Sequence, residues 1–162
     1  MLTLVAVTLA LAARGYAPVN GLQVYYEIHG NPAKDGVPLV LLHGGGSTIE
    51  TSFGKLIPLV SKTRQVIAFE QQGHGHTADV DRPFSFEQSA EDAVALLRHL
   101  HLGKADFLGY SNGGHIALEI ALRLPRSFAH SSSSRPSSAA MAPTRDSGRG
   151  SITRNSTRCR ST

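Results

Sequence analysis

An α/β architecture, with a mostly parallel sheet flanked by helices, is what this sequence predicts. Three observations carry the prediction. Pro38–Leu42, Gln65–Phe69 and Ala105–Tyr110 are short apolar runs of the kind that form strands buried on both faces. Helical periodicity separates the later runs, and parallel strands require such crossovers. Glycine-rich segments follow the first and third runs, where strands of this class end in loops. The chain has 162 residues, so a single domain is expected.

Along the chain, Leu2–Ala13 comes first, an apolar run broken only by Thr3 and Thr8. A spanning helix takes roughly 20 residues, so this run is too short for one. Its length fits a signal-peptide core, and Ala10-Leu11-Ala12 offers a small-residue cleavage pattern. No Lys or Arg precedes it, so an apolar N-terminal extension fits equally. A cleaved signal implies a secreted or periplasmic protein; without one the expectation is cytoplasmic. Residues 15–126 carry the α/β pattern. Asn20-Gly21 forms a turn ahead of the strand Gln23–Ile28. Phe53–Val60 reads as a short helix limited by Pro58. Ser85-Phe86-Glu87-Gln88 reads as a capping box. It opens a helix whose apolar face is Phe86, Ala90, Ala93, Val94, Leu97 and Leu100, ending at Gly103. Asn112–Leu124 is a helix with Ile116, Ile120 and Leu124 in line, stopped by Pro125.

Residues 127–162 differ sharply. They hold 11 Ser and 6 Arg in 36 residues, without Leu, Val or Tyr. Such a segment buries too little apolar surface to offset its ordering entropy, so disorder is expected. It also carries the charge: residues 1–126 sum to −1 and residues 127–162 to +5. The break falls at the end of a helix inside a half-built sheet, which leaves Ala105–Tyr110 as an exposed edge. A TCN serine codon read one base earlier ends in TC and encodes Phe, Leu, Ile or Val. Ser131–Ser134 then becomes an apolar run, the strand such a sheet needs next. A shifted reading frame near Arg126 is therefore expected. The tail's arginines have no interleaved aromatics or folded platform, so a nucleic-acid partner is not expected.

The chemistry lies in the loops. Gly109-Tyr110-Ser111-Asn112-Gly113 matches G-x-S-x-G between a strand and a helix, the setting of a nucleophile elbow. There Ser111 is the candidate nucleophile, and the Asn112 N–H faces a developing oxyanion at a helix N-terminus. The alternative is an N-cap serine in a glycine-rich turn. His43-Gly44-Gly45-Gly46 matches the HGGG-type loop that lends a second N–H, assigned here to Gly45. A phosphate loop is disfavoured, because Ile49 and Leu56 occupy positions where a Walker pattern needs Gly and Ser/Thr. Gly73, Gly75 and Ala78 fit a dinucleotide fingerprint, but no helix opens there. His74 and His76 lack a convincing ligand cluster. The loop Gln72–Ala78 is better read as a pocket wall. No cofactor or metal is expected. With one cysteine, Cys159, the chain has no internal disulfide framework.

These residues resemble the N-terminal half of the α/β-hydrolase superfamily, over roughly Gly15 to Pro125. The likeness rests on Val19–Gly30, Pro38–Gly46, Val66–Thr77 and Asp106–Gly114. It is similar to the group that includes esterases, enol-lactonases, perhydrolases and proline iminopeptidases. The resemblance implies a serine hydrolase acting on a small ester, lactone, amide or peptide. It also implies later strands, a cap, and a triad in the order Ser, acid, His. After Ser111 the chain has only Glu119 and Asp146 as acids, and only His115 and His130 as histidines. None matches the family's acid or base, so an incomplete, inactive hydrolase is expected. A non-enzymatic α/β module, or a small binding protein with a basic tail, is the competing reading. The family's D-x-R-G-x-G loop is Glu70-Gln71-Gln72-Gly73-His74-Gly75 here, without the arginine. Ser111 stands where dehalogenases and epoxide hydrolases carry Asp.

Overall fold

Alternate side chains of the central strands enter two separate cores, because successive residues of a strand face opposite ways. The computed structural model describes residues 13–32, 36–125 and 128–134. Most of the N-terminal apolar run, the rest of the tail, Asp146 and Cys159 lie outside the described residues. The sheet has six strands: β1 (Ala13–Val19), β2 (Leu22–His29), β3 (Leu39–Leu42), β4 (Val66–Phe69), β5 (Ala105–Tyr110) and β6 (Phe128–Ser134). Their spatial order is β1-β2-β4-β3-β5-β6. β1 and β2 pair antiparallel, as do β2 and β4; the three remaining pairs are parallel.

On one face, Val40, Leu42, Ile67, Phe69, Ala105 and Phe107 pack against helices α3 (Phe86–His99) and α4 (Asn112–Arg123). On the other, Leu41, Val66 and Ala68 meet Ile49, Phe53 and Ile57. Those three belong to α1 (Ile49–Phe53) and α2 (Ile57–Val60). The fold is therefore a sheet with helices on both faces, as the alternating pattern predicts, and every parallel strand runs its carboxyl end toward one edge.

Several local expectations are corrected. β1 was not foreseen, because Gly15 and Pro18 weaken its strand signal. It sits at the sheet edge, where proline costs no ladder bond. Asn20 and Gly21, at φ 47° and 86°, form the left-handed two-residue connection that matches strand twist. The single helix expected over Phe53–Val60 is two. Thr48 and Thr51 form a reciprocal capping box that starts α1 early, and Gly54 caps its end. At Ser85 only half of the predicted box forms. Ser85 Oγ accepts from the Gln88 N–H at 3.1 Å, while the Gln88 amide reaches forward to Asp92 Oδ1 at 3.3 Å. α3 ends at His99, and the left-handed residue beyond it is His101 rather than Gly103. Phe86, expected in the core, is 40% exposed.

β6 departs in part from the expectation that residues 127–162 lack order and that β5 is an open edge; residues 135–162 lie outside the described residues. Phe128–Ser134 pairs in parallel with β5, placing Ser131–Ser134 opposite Phe107–Tyr110. Strand pairing runs through backbone N–H and C=O groups, which every non-proline residue carries. A free interior-type edge supplies partners even to a run of poor strand formers.

Candidate functional site

A sharp turn at Ser111 joins β5 to α4 at the position of the G-x-S-x-G pattern. Ser111 has φ 51° and ψ −113°, a left-handed conformation rare for a residue with a Cβ. Strain of this kind persists only where the surroundings enforce it, and the neighbouring glycines do so here. A Cβ on Gly109 would lie 2.6 Å from the Gly114 nitrogen. One on Gly113 would lie 2.5 Å from the Leu42 carbonyl carbon and 2.8 Å from the His43 oxygen. The turn thus closes on itself and packs directly on the end of β3. Ser111 opens α4 but makes no side-chain cap bond, unlike Ser85 and Thr48, so its Oγ is not committed to an N-cap role.

The loop after β3 lies alongside. A Cβ built on Gly44 would sit 3.6 Å from Ser111 Cβ, and one on Gly45 would sit 3.8 Å from Asn112 Cβ. The structure therefore brings Ser111, Asn112 and Gly45 together, from segments 65 residues or more apart in the chain. Gly45 and Asn112 line a cavity of about 440 Å³, together with Gln71, Gln72, His74 and Phe84–Glu87. Phe84 is 63% exposed there. Phe86 stacks on His115 at 4.9 Å between ring centroids. A cavity lined by Phe84 and Phe86 together with polar Gln71, Gln72 and Asn112 suits a small, partly apolar molecule.

Buried polar groups fix the loops. His43 is fully buried, and burial pushes its imidazole pKa below the usual value. Its Nε2 accepts from the Gln71 N–H at 3.1 Å, so Nδ1 carries the proton and donates to the Gly44 carbonyl at 2.8 Å. His74 repeats the pattern: Nε2 accepts from the Gly46 N–H at 3.1 Å, and Nδ1 faces the Gln72 carbonyl at 2.7 Å. Both rings hold the glycine loop in place, and neither has a free nitrogen. Buried Glu70 accepts from the His76 backbone N–H and pairs with its ring at 2.9 Å.

Gln72 stands in the loop after β4 where the family resemblance leads to an arginine, and it is held by a network of side chains. It donates to Asp79 Oδ1 at 2.7 Å. Its carbonyl oxygen accepts from Arg82 Nε, and both terminal nitrogens of Arg82 engage the carboxylate of buried Asp92. A guanidinium thus reaches the same region from the segment before α3. Of the residues weighed as acid or base, Glu119 pairs with Arg123 at 2.6 Å and His115 stacks on Phe86, so neither is directed to Ser111. His130 lies in β6. Sequence reasoning missed Gln71, Phe84 and Phe86 as site residues. The signal was available for Gln71, two positions past the end of a buried strand.

A sequence profile described as alpha/beta hydrolase fold matches residues 37–148. The chain is 36% identical over 110 residues to a proline iminopeptidase of Clostridioides difficile, covering 67% of this chain and 38% of that protein. It is 38% identical over 116 residues to the human serine hydrolase BPHL, covering 69% of this chain and 38% of that one. Among solved structures, it resembles the enol-lactonase from Burkholderia xenovorans at a TM-score of 0.66 and 28% identity. That match covers 72% of this chain and 44% of the enol-lactonase. The chain thus spans less than half the length of the curated relatives it matches.

Proposed function

Because the chain belongs to the α/β-hydrolase family, we propose that it carries the nucleophile half of a serine hydrolase for small esters, lactones, amides or peptides. The observation that carries this reading is the strained, uncapped Ser111 beside the Gly44-Gly45 loop. Ser111 Oγ attacks the substrate carbonyl carbon, and its proton passes to a base. The carbonyl oxygen gains negative charge, which the Gly45 and Asn112 N–H groups stabilise. Collapse expels the alcohol or amine with a proton from that base, leaving an acyl ester on Ser111. Water then attacks the ester, releases the acid and restores the hydroxyl. The cavity wall of Phe84 and Phe86 receives the apolar part of the substrate.

Serine needs an adjacent base to act at neutral pH. His43 and His74 have both ring nitrogens engaged, His76 is paired with Glu70, and His115 is stacked on Phe86. In this reading none of these four rings is the base that serves Ser111. The Ser/Arg segment stands where the family continues its sheet, which favours a shifted reading frame near Arg126.

The test is p-nitrophenyl acetate turnover by three proteins: the 162-residue chain, a chain with the other frame restored after Arg126, and that chain with Ser111→Ala. Turnover by the restored chain alone is expected. Full activity in Ser111→Ala would remove the nucleophile assignment. Equal activity in the 162-residue chain would remove the missing-base argument. Coding DNA in which no single-base change opens a long frame would end the frame-shift reading.

A further inference from the structure

Gln71 is 6% exposed, and its side chain spans two loops. Its Nε2 donates to the His43 carbonyl at 2.8 Å, and its Oε1 accepts from Asn112 Nδ2 at 2.9 Å. Its backbone N–H holds the His43 ring. A carbonyl only accepts, so it fixes which end of the Gln71 amide faces His43. That in turn fixes which end of Asn112 faces Gln71. The result is a one-way relay of hydrogen bonds from the first residue of α4, through the loop after β4, to the loop after β3. The two segments it joins are those bearing Asn112 and Gly45. Nothing in the G-x-S-x-G or HGGG patterns specifies this connection, since it runs through the Asn112 side chain.

We infer that Gln71 is a positioning residue that sets the separation of the Asn112 and Gly45 N–H groups by bridging their loops through its side-chain amide. The inference rests on the oxyanion reading above for its catalytic meaning, although the bridge itself is a matter of geometry. Loss of the bridge leaves the His43 ring anchored by the residue-71 backbone N–H, so the fold persists while the two loops uncouple. A glutamate at this position makes the role visible. Ionised, its carboxylate accepts from Asn112 but has nothing to donate to the His43 carbonyl. Protonated, it offers one O–H donor and one carbonyl acceptor, the pattern of the amide. Its titration therefore switches the bridge on and off. The titratable groups around it are His43, His74, Glu70, Tyr110 and the cavity residue Glu87, with His115 farther along α4. The unaltered chain titrated in parallel reports their contribution.

The experiment is a ¹⁵N–¹H correlation spectrum of the full 162-residue chain, titrated with acid for the unaltered protein, Gln71→Met and Gln71→Glu. The Gly45 and Asn112 backbone amides are expected to shift at every pH in Gln71→Met. In Gln71→Glu they are expected to match Gln71→Met when the carboxylate is ionised and return to the unaltered positions on acidification. His43 ring nitrogens that keep a single proton on Nδ1 in both variants show the fold retained. Unmoved Gly45 and Asn112 amides in Gln71→Met, or a Gln71→Glu spectrum with no pH response beyond that of the unaltered chain, would overturn the bridge. The readout needs no turnover. A failure of the Ser111→Ala test therefore removes the nucleophile reading alone, and a failure here removes the positioning role alone.

Discussion

Replacing Gly113 with alanine sets two physical effects of opposite sign against each other. Gly113 lies in the first turn of α4, where alanine is better than glycine by about 1 kcal/mol in an unobstructed helix. The new Cβ, however, would stand 2.5 Å from the Leu42 carbonyl carbon and 2.8 Å from the His43 oxygen. Ordinary carbon contacts lie at roughly 3.5–4.0 Å, so α4 must retreat from β3 by about 1 Å. The obstructing atoms are backbone in a central strand and cannot swing aside. Overpacking of this kind costs roughly 1–3 kcal/mol or more. The sharpness of the clash puts the steric cost toward the upper end, leaving about 1–2 kcal/mol after propensity, so Gly113→Ala is expected to lower the thermal midpoint by roughly 2–8 °C for a chain of this size. Gly45→Ala provides the contrast. Its Cβ would meet nothing closer than Asn112 Cβ at 3.8 Å, an ordinary contact, so its midpoint should stay within about 2 °C. Circular dichroism melts of both variants decide the matter. A Gly113→Ala midpoint equal to or above the unaltered one would refute the claim that α4 and β3 are in backbone contact at the elbow.

Three further outcomes are expected. Ser111→Gly relieves a left-handed φ that costs a Cβ-bearing residue on the order of 1–3 kcal/mol, so it should raise the melting midpoint while removing the proposed nucleophile; a lower midpoint would count against strain at the turn. Asp92→Ala leaves the half-buried Arg82 guanidinium without its carboxylate and should lower the urea-unfolding free energy by roughly 2–4 kcal/mol, discounted from a fully buried pair because Arg82 still reaches solvent. His43 has a folded pKa below the ordinary 6.5, so the unfolded chain takes up the proton first. Stability contributed by the neutral ring is then complete above about pH 6.5 and falls as pH drops below it. A His43→Asn variant should show a flatter acid limb in melting midpoint against pH, and an unchanged slope would exclude His43 as its source.

Much of this fold was legible because its strongest signals are local. The runs at β3, β4 and β5 are apolar on both faces, and no alternative element accounts for their brevity and glycine ends. G-x-S-x-G was informative because the strand before it and the helix after it could be read independently. What escaped was non-local. β1 carries Gly15 and Pro18, and its strand character comes from pairing with β2 across Asn20-Gly21. β6 has no side-chain pattern to read, because its place is set by backbone groups on β5. Gln71 looks like any polar loop residue, and its meaning depends on His43 and Asn112, 28 and 41 positions away. The Arg82–Asp92 pair beside Gln72 is likewise assembled only in space, from residues ten positions apart.

The pairing of β6 with β5 bears on how the turn at Ser111 is supported. The register puts Ser134 opposite Tyr110, so the ladder runs to the residue immediately before Ser111. Strand β5 is thereby an interior strand, and the elbow is mounted on a sheet sealed by main-chain groups rather than by a particular sequence. The turn at Ser111 is therefore braced by main-chain ladders on two sides, β3 reaching Gly109 and β6 reaching Tyr110.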